Sequence, residues 1–206
     1  ISAIINAGGT PRLVDIGEDY LINVKKIKKE ISKKTKAIIP VHLYGQMCEM
    51  DSIMKIAKSK NIIVIEDCAQ SQGAKYKNKY SGTIGTFGCF SFYPTKILGA
   101  YGDGGFILTN DYKLYKKIKR IRFYGIETVE KTNFKDKYYA NENGINSRLD
   151  EIQASILNLK LKKVDLFIKK RKLIAKEYKK KLFSTKLELP RENLNCNHVY
   201  HLFTIY

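Results

Sequence analysis

Two hydrophobic periods alternate along this chain, and that alternation constrains its fold more than any other feature. Short apolar runs rich in β-branched and aromatic residues occur as LVDI (13–16), AIIPVHL (37–43), IIVIED (62–67), FGCFSFY (87–93) and GGFILT (104–109). Runs of this length and composition read as strands. Between them, apolar residues recur at helical spacing: Val24, Ile27 and Ile31; Ile53, Met54 and Ala57; Leu114, Ile118 and Ile121. Parallel neighbours need a crossover, usually a helix, so the pattern predicts an α/β sheet with helices packed on it. A further long helix is predicted from Ser147 as N-cap, with Asp150 three residues on and Leu149, Ile152, Ile156 and Leu159 along one face. Its continuation from 160 to 181 is strongly basic. The division this suggests is a large α/β domain over 1–150, then a connecting helix and the beginning of a small C-terminal domain over 151–206.

At 206 residues and 44% hydrophobic content, the chain can bury a real core. It starts at Ile1 and stops at Tyr206 within an apolar run, HLFTIY, and is therefore read as a piece of a longer protein. A net charge of +18 invites a nucleic-acid or anionic-membrane reading. The lysines, however, are spread over nearly every predicted helix, as in KKIKKEISKKTK and YKKIKRIR, and the run Lys169, Lys170, Arg171, Lys172 has no interleaved aromatics. They are read as solvated helix faces, with neither nucleic acid nor membrane expected as a partner. Cys48, Cys68, Cys89 and Cys196 lie far apart without a CxxC pair, which argues against a zinc knuckle or disulfide framework and suits a reducing cytoplasm. No apolar stretch is long enough to span a bilayer.

In α/β sheets ligands bind at the carboxyl ends of strands, which makes Asp67, at the end of IIVIED, either a site residue or the cap of the next segment. Strand alternation sends Glu66 to the opposite face, so the two carboxylates are not expected to act as a pair. Lys96 follows the run CFSFY, after Pro94 and before a loop holding Gly99, Gly102, Gly104 and Gly105. Such surroundings can desolvate an amine and free its neutral form as a nucleophile toward carbonyls. The loop GAYGDGG lacks both the GK[ST] ending of a P-loop and a GxGxxG pattern. An Asp at one strand end, then a Ser and a Lys at the end of the following strand, is the order that pyridoxal-phosphate chemistry can use: an amine for the carbonyl and a carboxylate for the pyridine nitrogen.

The stretches TKAIIPVHLYGQMCEMDSIMKIAK, VIEDCAQSQGAKYKNKYSGTIG, FSFYPTKILGAYGDGGFILTND and GINSRLDEIQASIL resemble, in this order and over nearly the whole chain, the DegT/DnrJ/EryC1/StrS family of sugar aminotransferases. The resemblance implies the type I fold of pyridoxal 5'-phosphate aminotransferases, with a mostly parallel large-domain sheet flanked by helices. It also implies transamination of a nucleotide-linked keto-sugar with glutamate as amino donor, in a homodimer with shared active sites. Residue by residue, Lys96 of SFYPTK resembles the lysine that holds the cofactor as a Schiff base. Asp67 of EDCAQ resembles the aspartate paired with the pyridine nitrogen, Ala69 would lie against one ring face, and Gln70 resembles the residue bonded to the ring hydroxyl. Ser91 resembles the serine on the cofactor phosphate, and Asn146 of NSRLDE an asparagine that reaches the phosphate of the neighbouring subunit. The family's upstream phosphate loop and ring-stacking aromatic, and most of its small domain, have no counterpart in these residues.

The nearest rival is a sugar dehydratase of the same fold, in which histidine replaces the lysine at the position of Lys96. A second rival is a regulatory or binding homologue that has kept the fold. Cys196, His198 and His201 could be read as metal ligands, but trusted zinc spacings are absent and no metal is expected. His42 and Tyr44 either line a pocket or pack at a strand end. Arg148 either holds an anionic group of a nucleotide or is the exposed start of its helix.

Overall fold

The computed structural model describes residues 1–126 and 139–206. Helices α1 (Ser2–Asn6) and α2 (Val24–Glu30) lead into strand β1 (Ala37–Ile38), helix α3 (Met50–Lys60) and strand β2 (Ile63–Asp67). A hairpin of β3 (Lys75–Tyr76) and β4 (Lys79–Tyr80) precedes strands β5 (Phe87–Ser91) and β6 (Gly105–Leu108). Helices α4 (Tyr112–Ile121), α5 (Glu151–Leu161) and α6 (Val164–Leu182) and strand β7 (Cys196–Asn197) complete the order.

The main sheet runs β1-β2-β5-β6. β1, β2 and β5 are parallel, which brings their carboxyl ends to one edge, and β6 returns antiparallel with Gly105 opposite Ser91. The predicted strand at 13–16 does not join this sheet. Leu13 and Ile16 are 73% and 50% exposed, and Ile16 only bridges to Ile22 across a local turn. Of the run 37–43 only the first two residues are strand, because Pro40 has no N–H with which to continue the ladder. The chain still follows β2, with the Asp67 N–H donating to the Pro40 carbonyl (2.9 Å) and the His42 N–H to the Asp67 carbonyl (3.0 Å). A second, three-stranded sheet has the order β4-β3-β7.

Alternation along β2 buries Val64 and Glu66 and leaves Ile65 and Asp67 half-buried on the other face. Val64 packs with Ile27 of α2, Met50 and Ile53 of α3, and Val199 near the C-terminus. Full burial of each such aliphatic side chain contributes about 1.5–3 kcal/mol. Val164, Phe167 and Ile168 of α6 pack against the same cluster, so the C-terminal segment shares the sheet's core.

The end of the chain departs from its predicted helix in three ways. The N-cap of α5 is Asp150 and not Ser147: its carboxylate accepts the N–H groups of Ile152 (2.9 Å) and Gln153 (3.2 Å), two of the donors that a helix start leaves unpaired. The expected buried face is also wrong, since Ile152 and Leu159 are 69% and 66% exposed and Leu157 is the buried residue. Leu157 packs with Phe92, Leu98 and Ala100, with Leu149 and Val164 beside it. Polar side chains on this same flank fix the choice: Gln153 Oε1 accepts the Tyr101 N–H (2.7 Å) and Lys160 Nζ donates to the Gly99 carbonyl. Finally, a turn at 162–163 divides the helix into α5 and α6. Among the described residues no helix is long and apolar enough to cross a membrane, and all four cysteines are free thiols.

Candidate active site

The two carboxylates that end β2 have opposite fates. Glu66 is fully buried and each of its oxygens is occupied. Oε2 accepts from His42 Nε2 (2.9 Å) and the Gly82 N–H (2.9 Å), while Oε1 accepts the N–H groups of Ile84 (2.8 Å) and Gly85 (2.5 Å). His42 is equally buried, and its Nδ1 accepts the Cys48 N–H (3.1 Å), which places the ring proton on Nε2, directed at Glu66. Burial pushes the Glu66 carboxyl up, but the hydrogen bonds from His42, Gly85 and Gly82 outweigh it and hold the group below its ordinary value. The loop 82–85 can close over Glu66 because Gly82 takes a φ of +80° and a Cβ on Gly88 would stand 2.3 Å from the Gly82 Cα. Glu66 and His42 are thus a structural couple beneath the sheet edge.

Asp67 faces the other side. One carboxylate oxygen accepts the Ala69 N–H (3.0 Å), so the capping role anticipated from sequence is real. The other oxygen has no protein partner among the described residues and is available to a ligand. Ala69 and Gln70 follow on the turn after β2, both half-buried. Gln70 Oε1 accepts the Tyr44 N–H (2.7 Å), and Tyr44 presents that N–H from a left-handed conformation, φ +57°. With its oxygen committed there, the Gln70 amide has its NH₂ group left to donate.

On the neighbouring strand, Cys89 is the register partner of Asp67, and Ser91 lies two residues further toward the same edge. Ser91 Oγ accepts the Tyr93 N–H (3.2 Å), which leaves its O–H proton free to donate outward. Lys96 sits in the loop that follows, half-buried, with its backbone N–H bonded to the Tyr93 carbonyl (2.9 Å). Its ammonium has no ion-pair partner among the described residues. Its charge is felt by His201, which burial first and the Lys96 and Arg171 charges second hold down to about 4. Sequence reasoning missed Gln72, whose buried amide joins this loop to the turn after β2. Its only signal is its place two residues after Gln70.

Asp67, Ala69, Gln70, Ser91 and Lys96 therefore lie on two adjacent strand ends and the turns that leave them. Asn146 is not brought to them. It is exposed, pairs with Phe123 in an isolated bridge, and lines a surface recess with Arg148, Asp150 and Glu151. A cavity of about 830 Å³ elsewhere, lined by Asp19, Lys25, Asp51, Lys77 and Arg191, includes none of the six.

Two other clusters engage most of their donor atoms within the protein, the exception being the buried His201 Nδ1, which has no partner among the described residues. The donor atoms of His42, Glu66 and Cys68 lie within 4.8 Å of one another, but the ring nitrogens and carboxylate oxygens already bond the protein and burial pushes the Cys68 thiol far up. In the C-terminal trio, burial raises the Cys196 thiol to about 11, and His198 accepts the Tyr200 N–H at Nδ1 (2.9 Å) while stacking on its ring at 4.1 Å.

Known proteins are similar to this chain in sequence and fold. A dTDP-3-amino-3,6-dideoxy-alpha-D-galactopyranose transaminase of Aneurinibacillus thermoaerophilus is 45% identical over 206 residues, covering 100% of this chain and 54% of that protein. A pleiotropic regulatory protein of Geobacillus stearothermophilus is 44% identical, over 98% of this chain and 54% of its own length. Among solved structures, S. venezuelae DesV superposes with a TM-score of 0.89 at 36% identity, across 98% of this chain and 53% of that one. The chain spans about half the length of these relatives. The sequence profile of one family matches residues 1–206 without a break, and the α/β fold expected from the alternating runs is the fold of these structures. On the fold and the full-length profile together, the chain belongs to the DegT/DnrJ/EryC1/StrS aminotransferase family.

Proposed function

We propose that this protein is a pyridoxal 5'-phosphate-dependent aminotransferase that moves an amino group from glutamate to a nucleotide-linked keto-sugar. The observation that carries this reading is the pattern of unused valences at one sheet edge. Among the described residues Asp67 has a free carboxylate oxygen, Gln70 a free NH₂, Ser91 a free O–H and Lys96 an amine without an ion pair. These fit the cofactor group by group: an acceptor for a protonated pyridine nitrogen, a donor for a ring hydroxyl, a donor for a phosphate oxygen and an amine for the aldehyde. When bound, the cofactor supplies an electron sink for negative charge at the carbon that bears the amino group.

The protein's own part is binding, orientation and proton movement. Asp67 keeps the pyridine nitrogen protonated through its free oxygen. With the cofactor bound, Lys96 would anchor it through Nζ and, as a free amine, would hold the proton removed from the α-carbon of glutamate and return one to the sugar carbon. Ala69 gives the ring a small apolar neighbour. Asn146, which lies on a different segment of the chain before α5, serves the site of a second copy, so the working unit is a homodimer. The net charge of +18 favours capture of an anionic nucleotide-sugar, and the free thiols suit a reducing cytoplasm. Lysine at position 96 argues against the dehydratase alternative. The regulatory alternative draws on the relative from Geobacillus stearothermophilus and is separated from the main reading by turnover.

The direct test loads the intact protein with pyridoxal 5'-phosphate and adds glutamate. The expected results are loss of the visible absorbance band, release of one equivalent of 2-oxoglutarate, and a borohydride-fixed label on the Lys96 peptide when reduction precedes glutamate. Absence of 2-oxoglutarate, or a label on another lysine, would reject the proposal. A variant checks the role given to Gln70. Gln70→Glu keeps the acceptor for Tyr44 but removes the donor, and cofactor dissociation measured by dialysis is expected to be tighter in wild type by about 10- to 100-fold, the worth of a buried hydrogen bond replaced by a repulsion. Equal retention would sink that role.

A further inference from the structure

The side chain of Gln72 bonds none of the side-chain groups that the proposed chemistry uses, yet it is 5% exposed and every polar atom of it is engaged. Nε2 donates to the Ser91 carbonyl (2.6 Å) and to the Leu98 carbonyl (3.3 Å), and Oε1 accepts the Leu98 N–H (2.8 Å). One amide thus closes both ends of the segment 91–98, inside which Lys96 lies. Gln72 also stands on the segment that leaves β2, two residues after Gln70 and five after Asp67. Beyond the β2–β5 pairing, which ends with the Cys68 N–H on the Cys89 carbonyl (2.8 Å), that segment is therefore tied to the lysine loop by one planar group whose rotation is blocked by three hydrogen bonds.

The rest of the loop is braced independently, which makes the role of Gln72 specific. β5 holds the start through the Ser91 and Gly105 pairing, the Ala100 N–H donates to the Phe92 carbonyl (2.7 Å), and α5 holds the far side through Lys160 to Gly99 and Gln153 to Tyr101. None of these reaches across to the carboxylate turn. We propose that Gln72 is a positioning residue that sets Lys96, and the Ser91 hydroxyl with it, in register with Asp67 and Gln70. The proposal rests on Lys96 being the cofactor lysine.

The test uses the intact protein with three variants: Gln72→Glu, which keeps the shape and turns both carbonyl bonds into repulsions; Gln72→Leu, which removes all three bonds; and Ile53→Val in the remote core of α3 as a control for modest destabilisation. Borohydride reduction of the wild type with pyridoxal 5'-phosphate scores the underlying reading by itself: no label on Lys96 removes that reading and this proposal together. With the wild type labelled, the Gln72 variants decide the proposal alone. Both are expected to shift the pH midpoint of the cofactor's visible band, to slow fixation at Lys96 by about 10- to 100-fold, and to speed amide hydrogen exchange across 92–98 in the cofactor-free protein by a similar factor, as the loss of buried hydrogen bonds predicts. Exchange in 50–60 should stay at the wild-type rate, and Ile53→Val should lower the melting temperature without moving the pH midpoint or the fixation rate. If the Gln72 variants melt lower but keep the wild-type midpoint and fixation rate, Gln72 is a core amide only and the proposal is overturned.

Discussion

Lys96→Ala is expected to lower turnover of glutamate and keto-sugar by about 10⁴-fold or more while leaving the melting temperature within the range of an ordinary surface change. The size follows from two roles in one atom. In the proposed function Nζ both anchors the cofactor and carries the proton at the α-carbon, and removal of a general acid–base group alone typically costs 10²- to 10⁴-fold. The absence of a stability effect follows from the environment: the ammonium has no ion pair among the described residues, and the loop is fixed by its backbone and by Gln72, Gln153 and Lys160. Lys96→Arg should be nearly as inactive, because a guanidinium stays protonated at any working pH and can neither attack an aldehyde nor take up a proton. Steady-state kinetics on both variants, with thermal melts alongside, check the claim. Activity within tenfold of wild type in either one would remove Lys96 from the chemistry.

The largest stability effect is expected at Glu66. Glu66→Ala leaves the buried His42 Nε2 and Gly82 N–H and the half-buried N–H groups of Ile84 and Gly85 without their acceptor, and a loss of about 3–5 kcal/mol is expected from urea unfolding. Glu66→Gln should lose less, since its carbonyl can still accept while its NH₂ faces donors. The same carboxylate sets a pH dependence. Its folded pKa lies below the ordinary 4.5, so its stabilisation is present in full above the unfolded value and is lost as pH falls through the folded one. The stability gap between wild type and Glu66→Gln should therefore be constant from neutrality down to about pH 5 and shrink below about pH 4.5. A gap that widens on acidification would show that Glu66 is not ionised in the native state.

The residues proposed for the site were easier to place from sequence than the architecture around them. Asp67, Gln70, Ser91 and Lys96 fall in contiguous motifs, and strand alternation alone separates Asp67 from Glu66. Periodicity also found α2, α3 and α4, because apolar residues at helical spacing have one way to be buried. It failed at α5, where the sequence offers two overlapping apolar stripes. Leu149 belongs to both, and the choice of Leu157 over Ile152 and Leu159 depends on what Phe92, Leu98 and Ala100 present from a loop some sixty residues upstream. It failed again at 13–16, where apolar residues lack a neighbouring strand to pair with.

What this sequence determined by itself is local: the alternation that makes an α/β sheet, the side-chain types at each strand end, and the motifs that carry the family. What only the tertiary structure decided is which valences those side chains have left. Gln70 is a donor toward the site because its oxygen is taken by Tyr44, and Ser91 because its lone pair is taken by Tyr93. Glu66 is structural because four donors from His42 and the loop 82–85 close on it. Lys96 is held in place by an amide at position 72 that no motif singles out. Hydrogen bonds saturate, and the partner that saturates each group comes from a part of the chain that local spacing does not reach.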